Sequence, residues 1–138
     1  MRLPGPDYKS PDAYFITAYA KNWEPLFGEV VYGEMRLSDY GWIVQVEWLR
    51  APMVRRYAAL DSFVVMPNQF NAILRPFTGS VETAVGQFKA AVTKQINHVR
   101  GTPAAEVWQE SHIKRILSTE DEFTLASHFV AGNCPLFA

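Results

Sequence analysis

Side chains two residues apart on a β-strand point to the same side of the sheet, a spacing that suits two groups sharing a metal ion or passing a proton. Gln69 and Asn71 have that spacing. They lie in Met66-Pro67-Asn68-Gln69-Phe70-Asn71, between the apolar runs Phe63-Val64-Val65 and Ala72-Ile73-Leu74. Such runs flanking a Pro-Asn pair read as strand, turn, strand, with Phe70 on the opposite face. The residue types withhold the chemistry that the position invites. Two neutral amides offer carbonyl oxygens and N–H donors, but no charge and no titratable proton. The strand either once held an active site or carries amides that are hydrogen-bonded locally or open to water.

Composition narrows the choice. The 138 residues suit one domain, 1–138, with a real core, and 49% of them are hydrophobic. The net charge is −1 and the pI about 6.3, so the basic excess of a dedicated nucleic-acid binder is missing. A local basic face is compatible with that balance. The single cysteine, Cys134, can form no internal disulfide, which fits a reducing, cytoplasmic setting. No apolar run has the length of a membrane span, and Met1–Pro6 lacks the apolar core of a signal peptide.

These residues need elements to position them. Residues 1–12, rich in Pro, Gly and Asp, read as an irregular arm. The β-formers of Ala13–Ala20 predict a first strand, 21–28 a loop, and Glu29–Leu37 a short hairpin around Tyr32-Gly33-Glu34. Ser38 or Asp39 can cap a helix reaching Arg50. That helix is apolar on more than one side, with Tyr40, Trp42, Ile43, Val44, Val46, Trp48 and Leu49. A surface helix shows one stripe, so a partner chain is the expected cover; the loop around Trp23 together with the N-terminal arm is the alternative. Ala59–Met66 and Gln69–Pro76 form the central strand pair.

Ser80 opens the most regular helix. Its buried face is Val81, Ala84, Val85, Phe88, Ala91, Val92, Ile96 and Val99, and its polar side includes Gln87, Lys94, Asn97 and Arg100. Gly101 and Pro103 stop it. Glu106–Leu117 reads as a strand, bent near Ser111. Thr119 and Glu122 form a capping box for a last helix with Phe123, Ala126, Phe129 and Val130 inward, ended by Gly132 and Pro135. This order predicts an α+β sandwich, a mainly antiparallel sheet covered by helices.

The blocks resemble the HUH single-tyrosine transposases of bacterial insertion sequences, in the branch of REP-associated tyrosine transposases. Arg2-Leu3-Pro4-Gly5, Asp7-Tyr8 and Ala13-Tyr14-Phe15-Ile16-Thr17 are similar to that family's N-terminal signature. Leu26–Val30 and Met35–Gly41 are similar to its next block, and Phe63–Asn68 to the lead-in to its catalytic pair. Phe88-Lys89, Ala91–Lys94, Arg100–Pro103 and Val107-Trp108-Gln109 are similar to later blocks. The resemblance implies a ferredoxin-like α+β sandwich. It also implies a chemistry: two histidines on the central strand bind Mg2+ or Mn2+, and a tyrosine on the last helix attacks a phosphate of single-stranded DNA beside a hairpin.

Carried over by residue, the resemblance places Gln69 and Asn71 at the histidine positions, Phe129 at the nucleophile and Asn133 at a further ligand. Phe129 has no oxygen to attack phosphorus and otherwise reads as a core aromatic. The two amides form a weak cation site without a carboxylate or imidazole, so no cofactor is expected. Tyr14, Tyr19, Tyr57, His98, His112 and His128 are substitutes by type only. The expected activity is therefore none. What remains is binding of single-stranded or hairpin DNA through Arg50, Arg55, Arg56, Lys89, Lys94, Arg100, Lys114 and Arg115, residues that otherwise read as solvated surface. The competing expectation is an interaction protein on the same scaffold, a homodimer through Trp42, Val46 and Leu49 with no membrane partner.

Overall fold

The computed structural model describes residues 13–51, 62–75 and 80–132. Expectations for residues 1–12, Arg55, Arg56, Tyr57, the strand ends at 59–61 and Pro76, Asn133, Cys134 and Pro135 lie outside the described residues. In chain order the elements are β1 (Ala13–Tyr19), a 3-10 turn (Lys21–Trp23), β2 (Gly28–Val31), β3 (Glu34–Leu37) and α1 (Asp39–Arg50). After these come β4 (Phe63–Met66), β5 (Gln69–Leu74), α2 (Val81–Arg100), β6 (Ile113–Leu117) and α3 (Glu120–Gly132).

The main sheet has the order β4-β5-β1-β6 with every neighbour antiparallel. With the β2–β3 hairpin set aside as its own small sheet, β1-α1-β4-β5-α2-β6 is the split βαβ arrangement of a ferredoxin-like sandwich, as the sequence predicts.

Strand alternation divides the core. On one face Ala18, Val65, Phe70 and Ala72 meet Val44 and Trp48 of α1 and Phe88, Val92 and Ile96 of α2. Phe70 sits 4.9 Å from Trp48 and 4.9 Å from Phe88 by ring centroids, and Trp48 meets Phe88 at 5.1 Å. On the other face Ala13, Val64, Ile73 and Leu117 pack under Ala126 and Val130 of α3, with Phe15, Met66 and Phe123 alongside.

The helices begin where the sequence places their caps. Ser38 Oγ accepts from Gly41 N at 3.1 Å, Ser80 Oγ from Thr83 N at 3.2 Å, and Thr119 Oγ1 from Glu122 N at 3.1 Å. α2 ends at Gly101, in the left-handed region at φ 68. Gly41 has a packing reason as well: a Cβ there would strike the carbonyl oxygen of Phe27. The first turn of α1 thereby lies against the chain entering β2.

Several expectations are corrected. α1 takes part of its cover from Leu26, Phe27, Leu37 and α2, so the loop 21–28 contributes through Leu26 and Phe27 while Trp23 itself is exposed. Of the apolar residues of α1 only Trp42 and Val46 stand exposed, with Leu49 half-buried. On α2 Val99 faces solvent and Asn97 is buried. The inward turn of Asn97 follows from its bonds: Nδ2 donates to Ala105 O at 2.8 Å, and Oδ1 accepts from Thr102 Oγ1 at 2.9 Å and Arg100 Nε at 3.2 Å. It fastens the loop after the helix. The strand expected over Glu106–Leu117 is only Ile113–Leu117. Val107 and Trp108 instead drop into the core, and Trp108 makes a single bridge to Ala20. Of the central pair, the described strands are Phe63–Met66 and Gln69–Leu74, with Ser62 and Arg75 outside them.

Candidate functional site

The face under α3 carries three cross-strand rows: Tyr19 opposite Gln69, Thr17 opposite Asn71, and Phe15 opposite Ile73. The start of β5 is held by its turn. Pro67 O accepts from Phe27 N and Asn68 O from Ala20 N, both at 2.9 Å. Residues distant in sequence thereby fix where Gln69 and Asn71 stand.

The two amides share this face, as their spacing predicts, and they are joined into one network. Thr17 Oγ1 donates to Asn71 Oδ1 at 2.7 Å. Asn71 Nδ2 donates to Gln69 Oε1 at 3.1 Å and lies 3.5 Å from Met66 Sδ. Gln69 Nε2 reaches Asn68 Oδ1 at 3.4 Å. Asn71 is 1% exposed, so its bonds replace water completely. Its carbonyl oxygen, the atom a cation would require, is directed at the Thr17 hydroxyl.

Phe129 projects from α3 onto the same face. Its ring meets that of Phe15 edge-on at 5.7 Å, one row from the Thr17–Asn71 pair. The expectation of a core aromatic is corrected here, because the side chain is 42% exposed. Ala126 and Val130, on the neighbouring stripe of α3, take the buried positions instead. Gln69, Asn71 and Phe129 thus come together on one face. Among the described residues no three of His, Cys, Asp and Glu are grouped as metal ligands would be.

The described residues among the predicted basic set do not form one surface. Arg50 ends α1 and pairs with Glu47 at 3.3 Å. Lys114 pairs with Glu82 of α2 at 3.0 Å and lies over the Tyr14 ring, on the α2 side of the sheet. Arg115, exposed, alternates to the α3 side. Arg100 is spent on the turn after α2, donating to Thr102 Oγ1 at 2.8 Å. Lys89 is half-buried, and its Nζ donates to Gln109 O at 3.2 Å; burial pushes its pKa down. Lys94 is exposed on α2 beside an open depression of about 890 Å³ lined by Thr93, Asn97, His98 and Pro103.

The substitutes by type are scattered as well. Tyr14 lies under Lys114, His98 and His128 are exposed, and among the described candidates only Tyr19 borders the amides. His112 is held below its ordinary pKa by burial first and then by the charge of Lys89, with Glu82 opposing.

Three participants escape sequence reasoning. Thr17 is an ordinary β-branched strand residue until the β1–β5 register sets it against Asn71. Trp23 is exposed and its ring lies 6.1 Å from that of Tyr19. Gln109 caps the bend before Trp23, its Oε1 accepting from Asn22 N at 2.7 Å. Only the register and a contact 87 residues apart reveal them.

No family model matches the chain. An uncharacterised protein of Haemophilus influenzae is 28% identical over 156 aligned positions, covering 96% of this chain and 86% of that protein. Among solved structures, a REP-associated tyrosine transposase bound to a REP hairpin superposes with a TM-score of 0.62 at 14% identity, over 96% of this chain and 72% of that one. A candidate transposase from Deinococcus radiodurans superposes with a TM-score of 0.55 at 12% identity, over 95% and 97% of the two chains. The chain therefore has the transposase-like fold that the sequence blocks imply. No described helix is long and apolar enough to cross a membrane.

Proposed function

We propose that this protein is a transposase-like scaffold that binds single-stranded or hairpin DNA without cutting it. The observation that carries the absence of cutting is the closed chain Thr17–Asn71–Gln69 at the positions where the resemblance puts metal-binding histidines. Asn71 Oδ1 is committed to a buried hydroxyl, and neither amide brings charge. A hard divalent cation prefers several oxygen ligands, usually with carboxylates, so this set does not fit one. Phe129, which the resemblance puts at the nucleophile position, has no atom to form a bond to phosphorus. No step of strand transfer is therefore assigned to this chain. Support for DNA as the partner is the fold shared with a transposase bound to a REP hairpin.

The test is a binding and cleavage assay with hairpin DNA carrying single-stranded tails, in manganese. The wild type is expected to shift the DNA, with an affinity that falls steeply as salt rises, and to leave no covalent adduct. A protein–DNA band surviving denaturation would overturn the reading. The triple variant Gln69→His, Asn71→His, Phe129→Tyr serves as the comparison.

A second reading rests on α1. Trp42 and Val46, one turn apart, stay exposed beside half-buried Leu49, and an exposed apolar stripe of this kind suits a protein partner, including a second copy. It predicts a dimer by size-exclusion chromatography with light scattering that Trp42→Glu dissolves. A wild-type monomer would remove it.

A further inference from the structure

The chain leaving β1 bends in a way that its own packing does not explain. After Tyr19, Ala20 N donates to Asn68 O at 2.9 Å and Lys21 N to Val107 O at 2.8 Å. Asn22 and Trp23 then both adopt the left-handed region, at φ 58 and φ 56. Asparagine tolerates that region; a bulky tryptophan rarely enters it. The bend is held from outside by Gln109, whose Oε1 accepts from Asn22 N at 2.7 Å, and is closed from within by Trp23 N, which donates to Ala20 O at 2.9 Å. Burial does not offset the strain, because Trp23 is 56% exposed. Backbone strain that places a large side chain in solvent is a pointer to function rather than to stability.

What the bend achieves is a place for the indole. Its ring lies 6.1 Å from that of Tyr19, tilted by 49°. Tyr19 is the cross-strand neighbour of Gln69, so the aromatic pair stands at the end of the face that carries the amide network. Gln69 and Asn68, both half-buried, put amide groups beside it. An aromatic platform bordered by amides matches one unpaired nucleobase: the ring stacks on its π-face, and amides can bond its edge.

We propose that Trp23, backed by Tyr19, is the stacking platform for an unpaired base in the single-stranded tail of a bound DNA, with Asn68 and Gln69 at the edge of that base. The proposal rests on the DNA-binding reading above and adds to it a site, a residue and the part of the DNA that the site takes. Gln109 acts as a positioning residue, because its side chain holds the bend that presents the indole.

The experiment compares a hairpin carrying a single-stranded tail with the same hairpin made blunt, by fluorescence anisotropy at fixed salt. The variants are Trp23→Phe, Trp23→Ala and Trp23→Gly, each checked by thermal melting. The wild type should hold the tailed hairpin more tightly than the blunt one. Trp23→Ala should lose roughly tenfold or more on the tailed DNA and nothing on the blunt one, while Trp23→Phe keeps most of the difference. Trp23→Gly should bind like Trp23→Ala and melt at or above the wild-type temperature, since glycine takes the left-handed region without strain. A tail that adds no affinity, or that adds as much in Trp23→Ala as in the wild type, overturns the platform and leaves the DNA reading standing. So does a Trp23→Gly variant that melts well below the wild type and binds normally, which would make the indole structural. No binding of either DNA overturns both readings.

Discussion

The two faces of the main sheet are built on opposite principles. Under α1 and α2 the face is packed with apolar side chains, and Trp48, Phe70 and Phe88 interlock within 4.9 to 5.1 Å of one another. Trp48 Nε1 has no hydrogen-bond partner among the described residues, which marks how completely apolar contact dominates there. Under α3, the one described helix on that side, a buried asparagine is bonded to a threonine and to a half-buried glutamine, and an aromatic is left half in solvent. Both faces share the same strands, so the difference lies in the side chains and in the helices that cover them. One face stores the stability that lets the other keep polar groups and strain.

That contrast can be broken at graded cost. Phe70→Ala should be the most damaging change, on the order of 3–5 kcal/mol, because a close-packed core relaxes little around the cavity; urea unfolding measures it. A loss below about 1 kcal/mol would mean the first face is not the stable one. Next is Asn71→Ala, which strands the Thr17 hydroxyl and should cost about 1–3 kcal/mol. Pairing Asn71→Leu with Thr17→Val should recover much of that loss, because both polar partners leave together. A double variant no better than the single ones would show that the network is more than mutual satisfaction. Phe129→Ala, at a half-exposed site, should cost no more than about 1 kcal/mol, and Phe129→Tyr less still.

The smallest effect is one of pH. Burial and Lys89 hold the His112 pKa below the ordinary value of about 6.5. In the window between the two values the unfolded chain binds the extra proton. Stability from this residue is therefore full above about pH 6.5 and is lost as pH falls through that window. His112→Gln should flatten the acid side of a melting-temperature profile, and an unchanged profile would show that His112 is not desolvated.

Much of this architecture follows from local signals. Ser38, Ser80, Thr119 with Glu122, and Gly101 mark helix ends by chemistry that spans a few residues, and each stands where expected. The Pro67–Asn68 turn likewise fixes Gln69 and Asn71 on one face. What is not legible is what depends on distant neighbours. Asn97 reads as polar surface by its type, yet the loop carbonyl of Ala105 draws it inward. Val107 and Trp108 continue an apparent strand pattern, but the core beneath Ala20 takes them instead. Thr17 depends on register, and the left-handed Trp23 is held by a glutamine from the other half of the chain. The candidate site is the less legible part because its partners lie on different strands.

β6 forms one margin of the main sheet, paired on one side with β1 and, among the described strands, with none on the other. Ile113 and Ile116 are half bare to water, so this margin has the makings of a seed for fibrous self-stacking. Lys114 and Arg115 sit between them. If two copies aligned these margins head to tail, cation would face cation at the centre of the pairing, and like charges set opposite repel. On such a pairing the two basic residues, Lys114 with its charge shared by Glu82, would oppose association. Replacing both with threonine should leave the folded chain intact and make concentrated solutions turn cloudy sooner on warming.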